Sequence, residues 1–402
     1  MKLLIYGINF TPELTGIGKY SGEMAEWLGD QGHDVRVITA PPYYPEWSIH
    51  EEYVNFYSCI TSKNMTVIRC PLYVPSKPTA LKRLLHLMSF SISSFLPVIG
   101  SVFWKPDIVI LVVPTLFCSV QTLILSKLVG AKSVVHIQDY EVDAMFDLSI
   151  AKKGLFKEIP YWLEKKILNS FQMVSTISKG MMHRASQKGI EDKKLLFFPN
   201  WAEVDRFENQ NKDKQFLSDL GINPEKKIVL YSGNMGEKQG LEAVIYAADL
   251  MRGKTDLQFI MVGEGIVKAN IEKLAGELNL QNISFFPLLP YSMLPQLLAS
   301  ADCHLVIQKK GAADAVLPSK LTNILAVGGN AVITASPSTT LGILCGDFPE
   351  IAVLVEPESI ESLIAGIDRA LSMPMPNHIA QKYAKDFLDK DMILSRFIKE
   401  VG

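Results

Sequence analysis

The stretch GNMGEKQGLEAVIY, residues 233–246, follows directly on the apolar run KIVLYS and leads into residues with helical spacing. A glycine-rich turn that opens a helix leaves backbone N–H groups aimed above the strand end, and the helix dipole adds partial positive charge there. Lys238 adds a full charge to the loop. The pattern also has a plainer reading, because strand-to-helix turns commonly hold glycine simply to let the chain bend through positive φ. The loop is therefore a candidate anion site whose standing depends on its surroundings.

Working outward from it, the alternation of strand and helix continues in both directions. On the C-terminal side LQFIMVG, NISFFP, CHLVIQ, NAVITA and IAVLVE are apolar runs of strand length separated by helix-period segments. On the N-terminal side, beyond the polar stretch ENQNKDKQ, the same alternation runs through KLLIYGI, DVRVITA, DIVILVV, KSVVHI, FQMVSTI and LLFFP. Continuous runs rich in β-branched residues suit strands buried on both faces of a parallel sheet. The expected class is α/β, with two Rossmann-like doubly wound domains. Residues 1–203 form the first, 204–376 the second, and 377–402 a terminal helix packing back toward the first. Ligands of such sheets bind beyond the carboxyl ends of the strands, so two sheets facing across a cleft would bring their strand-end residues to it.

Composition limits the partners. The chain has 402 residues, 48% hydrophobic, with a net charge of −2, so it has no global field for nucleic acid. Its five cysteines, Cys59, Cys70, Cys118, Cys303 and Cys345, are scattered without a CxxC pair, which favours a reducing, cytoplasmic setting over a disulfide framework or a zinc site. The opening MKLLIYG is too short an apolar run for a signal peptide and reads as a first strand.

Residues 84–103, LLHLMSFSISSFLPVIGSVF, carry no charge over a length that would span a bilayer. Yet His86, Ser89, Ser93, Pro97 and Gly100 recur opposite a stripe of Leu84, Met88, Ile92, Phe95 and Ile99, so the segment is amphipathic. Three readings stay open: a helix whose apolar stripe packs on the domain core, an interfacial helix with Lys77, Lys82 and Arg83 at its polar end, and a span.

Residues just after the strands are the site candidates. Gly16 and Gly18 form a second glycine turn that opens a helix. After KSVVHI, the segment QDYEVD brings Asp139, Glu141 and Asp143 to a strand end, suited either to sugar hydroxyls and developing positive charge or to a helix N-cap. Farther on, LPSKLTN puts Ser319 and Lys320 in the first turn of a helix behind Pro318. A lysine there opposes the helix dipole unless it holds an anion. With Gly233, Asn234 and Lys238 it describes a nucleotide diphosphate site. His304, on an apolar strand, reads as a core histidine.

In order and spacing these pieces resemble the retaining GT-B glycosyltransferases of family four. TGIGKYSGEMAEWLGDQGHDVRVITA is similar to that family's N-terminal glycine loop, helix and second strand; STISKGM and PNWAEVDRF resemble its interdomain landmarks; SGNMGEKQGLEAVIYA resembles its phosphate loop; LPYSMLPQLLASADCHLVI and LPSKLTNILAVGGNAVIT resemble its last signatures. HIQDYEVDA and LPSKLTNILAVGG look most like the colanic-acid and related exopolysaccharide transferases described as fucosyltransferases. The sequence also departs from the pattern. Asn234 and Gln239 stand where the family carries Arg and Lys, Ala315 and Asn323 stand where it carries two glutamates, with Asp314 beside Ala315, and Gln138 replaces a histidine, with His136 two residues earlier.

The resemblance implies transfer, with retention, of a sugar from a nucleoside-diphosphate donor, GDP-fucose in the narrower match, to a lipid-linked glycan at the inner face of the membrane. Lys320, Ser319 and the Gly16 and Gly233 loops would hold the leaving phosphate, Asn323 the ribose, and Asp139 the sugar or the acceptor's proton, with Glu141 and Asp314 near the substrate. No metal or cofactor is expected, since lysine and helix ends supply the positive charge. Two rivals are a nucleotide-sugar epimerase on the same fold and an inactive scaffold subunit.

Overall fold

The computed structural model describes residues 1–13, 16–142, 158–311 and 318–402. The chain divides into two compact units, Met1–Pro199 with Leu394–Gly402, and Asn200–Ile393.

The first unit is built on an eight-stranded sheet of β1 (Lys2–Tyr6), β2 (Asp34–Thr39), β3 (Ser58–Ser62), β4 (Met65–Arg69), β5 (Ile108–Val113), β6 (Lys132–Ile137), β7 (Met173–Thr176) and β8 (Leu195–Phe197). The order is β3-β4-β2-β1-β5-β6-β7-β8. The pairings are parallel except β3 with β4. Central strands are buried on both faces: all six residues of β5 are inaccessible. That is why the sequence shows them as unbroken apolar runs rather than alternations. The edge hairpin β3–β4 escaped the sequence reading for the opposite reason, because β3 is polar and mostly exposed and its Lys63–Asn64 turn lacks the glycine that marks a tight hairpin.

Helices cover the sheet, among them α1 (Gly16–Asp30), α2 (Ala80–Gly100), α3 (Ser119–Val129), α4 (Glu158–Ser170) and α5 (Lys179–Gln187). Helix α2 packs on the unit through a mixed face. Its buried face is His86, Phe90, Ser94 and Val98, one residue per turn, while Leu81, Leu85, Ile92, Phe95 and Leu96 are exposed. The expected stripe of Leu84, Met88, Ile92, Phe95 and Ile99 is therefore not the face that packs on the core, which is made by Phe90 and Val98 together with the polar His86 and Ser94. The two polar residues fit because each finds a partner. His86 Nδ1 donates to Tyr73 O at 2.6 Å, and Ser94 Oγ meets Phe90 O at 2.6 Å and Tyr6 Oη at 2.5 Å. Pro97 lies inside the helix and has no N–H for the Ser93 carbonyl. That carbonyl accepts instead from Tyr57 Oη at 2.8 Å, just before β3, which ties the edge hairpin to the helix.

The second unit has six parallel strands, β9 (Lys227–Ser232), β10 (Leu257–Val262), β11 (Ile283–Phe286), β12 (Cys303–Val306), β13 (Ala331–Thr334) and β14 (Val353–Val355), in the order β11-β10-β9-β12-β13-β14. The order reverses between β9 and β12. Alternate residues of β9 feed the two cores, Ile228 and Leu230 on one face, Val229 and Tyr231 on the other. Helices α6 (Glu242–Leu250) and α7 (Ser319–Val327) follow the candidate loops. The terminal segment is two helices, α8 (His378–Phe387) and α9 (Lys390–Val401), broken where Ala202 N donates to Leu388 O at 2.8 Å. Phe397 on α9 stacks on Phe198 with ring centroids 3.9 Å apart.

Candidate active site

In the second unit the strand reversal between β9 and β12 brings two loops together, residues 233–241 after β9 and residues 307–310 after β12. Lys309 N donates to Lys238 O at 2.9 Å and links them. The glycines here have two separate explanations. Gly233, Gly263 and Gly265 all have φ between +143° and +150°, a region that disfavours side chains. They also permit backbones to touch: a Cβ on Gly263 would lie 1.9 Å from Gly233 O, and one on Gly265 2.3 Å from Met235 O. The loop is thus pressed against the turn after β10. Its N–H groups are partly spent on that contact, Gly233 N on Val262 O at 3.0 Å and Met235 N on Glu264 O at 2.8 Å, while Gly236 N bonds Gln239 Oε1 at 3.1 Å. The expected row of open N–H groups is therefore reduced. Among the described residues, Asn234, Glu237 and Lys238 N–H meet no acceptor.

Lys320 comes to this loop from α7. The helix starts at Ser319 behind Pro318, no side chain caps it, and Ser319, Lys320 and Asn323 share its opening face. The Lys320 chain passes 3.8 Å from the Cβ position of Gly233, and its Nζ lies 4.5 Å over the ring of Tyr231. No carboxylate pairs with it among the described residues. Burial pushes its ammonium down to about 8. Among the described residues this leaves a desolvated cation at a helix N-terminus that already repels it, an arrangement that an anion would relieve. Tyr231, whose Oη donates to Asn234 O at 2.6 Å, holds both the lysine and the loop. It went unnoticed because in KIVLYS it looks like one more strand residue. Lys238 and Lys309 are exposed at the same strand ends. Asp314 and Ala315 lie outside the described residues.

In the first unit the loops after β1, β5 and β6 carry the candidates. Gly16 has φ +60° with nothing near it, so its conformation requires glycine. Gly18 has a different reason: its Cβ would lie 2.6 Å from Glu13. Glu13 is buried, and its carboxylate accepts from Asn9 Nδ2 at 3.0 Å and from Tyr43 and Tyr44 N–H at 3.2 Å each. It joins the loop after β1 to the loop after β2, and burial raises its pKa. Sequence reasoning missed it, since a single Glu between Pro12 and Leu14 has no local signature.

Asp139 is exposed just past β6, whereas Glu141 is turned into the unit, with its carboxylate accepting Leu116 N–H at 2.8 Å. Asp143 lies outside the described residues. Gln138 is set by a relay: its Nε2 donates to His136 Nε2 at 2.9 Å, and His136 Nδ1 meets Ser175 Oγ at 3.0 Å. Burial pulls His136 down to about 3, so it is neutral. His304 is likewise buried and pulled down to about 4.

Burial, with the neighbouring Glu164 adding to it against the opposing Leu116 N–H bond, raises Glu141 to about 7. The folded state therefore holds a proton that the unfolded chain releases near 4.5. Stability from this group is complete below pH 4.5 and is lost as the pH rises through 7. Urea titrations of wild type between pH 5 and 8 should show a fall on the order of 2–3 kcal/mol from this group, absent in Glu141→Gln. An equal fall in the variant would refute the assignment.

Residues 212–387 match the glycosyl transferases group 1 family, and residues 15–201 match a glycosyl transferase 4-like domain. The putative colanic acid biosynthesis glycosyl transferase WcaI of Escherichia coli K12 is 55% identical over 406 residues, covering all of both chains. The chain belongs to the group 1 glycosyl transferases. Solved structures agree on the fold. Sucrose-phosphate synthase from Thermosynechococcus elongatus aligns with TM-score 0.69 at 16% identity over 99% of this chain and 98% of its own. Anabaena Alr3699/HepE, solved in complex with UDP and glucose, aligns with TM-score 0.66 at 14% identity over 100% and 99%. This transferase is an enzyme with a GT-B fold of two Rossmann-like units. Among its described residues no group of three or more His, Cys, Asp or Glu is placed to hold a metal ion.

Proposed function

We propose that this transferase moves a sugar from a nucleoside diphosphate to a hydroxyl of a lipid-linked oligosaccharide, with retention at the anomeric carbon, in the assembly of a colanic-acid-like exopolysaccharide. The observation that carries the reading is Lys320, without a carboxylate partner among the described residues, beside the Gly233 loop at the β9/β12 reversal. Breaking the bond between the anomeric carbon and the phosphate oxygen leaves negative charge on the β-phosphate and positive charge on the sugar. Lys320 and Ser319, with the N–H groups at the start of α7, stabilise the first. The leaving phosphate oxygen takes the proton of the incoming hydroxyl on the same face, which balances the exchange and preserves configuration. Asn323, one turn from Lys320, is assigned to the ribose, Asn234 and Lys238 to the phosphates, and Asp139 to the sugar. The Escherichia coli relative's name supports the pathway, and the fucosyltransferase-like signatures support GDP-fucose as donor.

Incubation with GDP-fucose and a lipid-linked acceptor should give a glycoside with the donor's anomeric configuration by NMR, and no turnover without acceptor. Release of free nucleotide without acceptor would instead indicate an epimerase, and absence of both an inactive subunit. GDP-fucose should protect the protein against heat more than UDP-glucose does. The reverse order would overturn the donor assignment.

A further inference from the structure

The first unit exposes apolar side chains on two neighbouring helices. On α2, Leu81, Ile92 and Leu96 are 67%, 73% and 73% exposed; on α3, Val120 and Leu128 are 61% and 64% exposed, with Ile124 between them. The helices are fixed side by side, since Ser91 Oγ donates to Phe117 O at 3.1 Å and Gln121 Nε2 to Ser91 O at 3.2 Å. Phe103, in the turn after α2, is 91% exposed. A soluble helix ordinarily turns such residues inward, and here the inward positions are Phe90 and Val98 with the polar His86 and Ser94.

The charge of the sequence that carries these helices is one-sided. Residues 70–138 contain six cations, Lys77, Lys82, Arg83, Lys105, Lys127 and Lys132, against one carboxylate, Asp107, in a chain whose net charge is −2. Asp107 itself accepts Lys2 N–H at 2.7 Å. Neither α2 nor α3 contains an acidic residue. Two neighbouring helices that expose apolar side chains and carry Lys82, Arg83 and Lys127 without a carboxylate of their own are complementary to an anionic lipid surface, where acyl chains take the apolar side chains and headgroups the cations.

Helix α2 meets the length and apolarity of a membrane span, as judged by composition. Its bonds tie it instead along the unit: Ser94 Oγ meets Tyr6 Oη of β1, His86 Nδ1 donates to Tyr73 O after β4, Tyr57 Oη before β3 donates to the Ser93 carbonyl, and Gln121 Nε2 of α3 donates to Ser91 O. Among the described residues the outer face of the helix is exposed. We propose that α2 and α3 together form the surface by which this enzyme docks on an anionic bilayer, with Lys82 and Lys127 at the headgroups. The inference rests on the reading of a lipid-carried acceptor, and assigns the surface that meets it.

The test uses the full chain and vesicles of phosphatidylcholine with or without one-quarter phosphatidylglycerol. Wild type should float with the anionic vesicles and be released by salt. Ile92→Ser/Leu96→Ser/Val120→Ser/Leu128→Ser should lower the partition coefficient by about tenfold or more, and Lys82→Glu/Lys127→Glu should lose only the salt-sensitive part. All these side chains are exposed, so the variants should keep the wild-type unfolding transition. Their transfer to a short water-soluble acceptor should also be unchanged, which separates docking from catalysis: loss of transfer in wild type itself would strike at the proposed reaction, not at this surface. Equal flotation of wild type and the serine variant, or a wild-type dimer by light scattering that the serine variant abolishes without any lipid binding, would overturn the proposal.

Discussion

Replacing Lys320 by alanine is expected to lower kcat by roughly 10² to 10³ while raising the donor KM much less, the usual consequence of removing one preorganised stabilising group. The phosphate gains charge only as the bond breaks, so its partner is felt most in the transition state. Lys320 is placed for this by its approach to Gly233 and by the absence of a carboxylate partner among the described residues. Lys238, exposed on the loop, should cost less when replaced. The same lysine should be a burden on the empty protein. Its ammonium is pulled from 10.5 to about 8, so the fold disfavours the charged form, and this cost is present below pH 8 and disappears as the pH rises toward 10.5. Lys320→Met should therefore raise the melting temperature at pH 7 by a few degrees while removing activity. Activity within about threefold of wild type in Lys320→Ala, or greater damage in Lys238→Ala, would return the principal role to the loop.

Gly263→Ala should be among the most destabilising single-methyl changes in the second unit. The new Cβ would stand 1.9 Å from Gly233 O, a backbone atom that cannot rotate away, at a φ of +149°. Strain of this backbone kind costs about 1–3 kcal/mol before any clash, so a total of roughly 3–5 kcal/mol is expected, a melting shift on the order of 10 °C. Displacement of Gly233 should also weaken nucleoside diphosphate binding. Gly253→Ala, with nothing within 4 Å of the new Cβ, serves as control and should be near neutral. Calorimetry of both variants decides the matter, and a shift under about 2 °C for Gly263→Ala would show that the two turns are not in rigid contact.

Much of this architecture was legible because the strands are buried on both faces. β5 and β10 announce themselves as unbroken apolar runs. The β3–β4 hairpin was not, since an exposed edge strand need not be apolar. Lys320 stood out through a conflict between local preference and position, which a sequence displays directly. Its neighbour Tyr231 and the buried Glu13 showed no such conflict, because their importance arises from contacts distant in sequence: Tyr231 lies under a lysine 89 residues on, and Glu13 bonds N–H groups about thirty residues away. Glycine was the most ambiguous signal. Gly16 needs its φ, Gly18 makes room for Glu13, and Gly263 makes room for Gly233, yet one letter stands for all three.

The return of residues 394–402 to the first unit bears on how the protein is made. Residues 200–393 are made between Pro199 and the returning segment, so at about 5–20 residues per second the missing helix follows only after some tens of seconds. Until then Phe198 lacks the ring of Phe397 against which it stacks, while the unit bearing the apolar α2–α3 face is already outside the tunnel. Birth of this enzyme thus includes an interval in which an exposed apolar surface is presented before residues 394–402 have arrived to complete its unit.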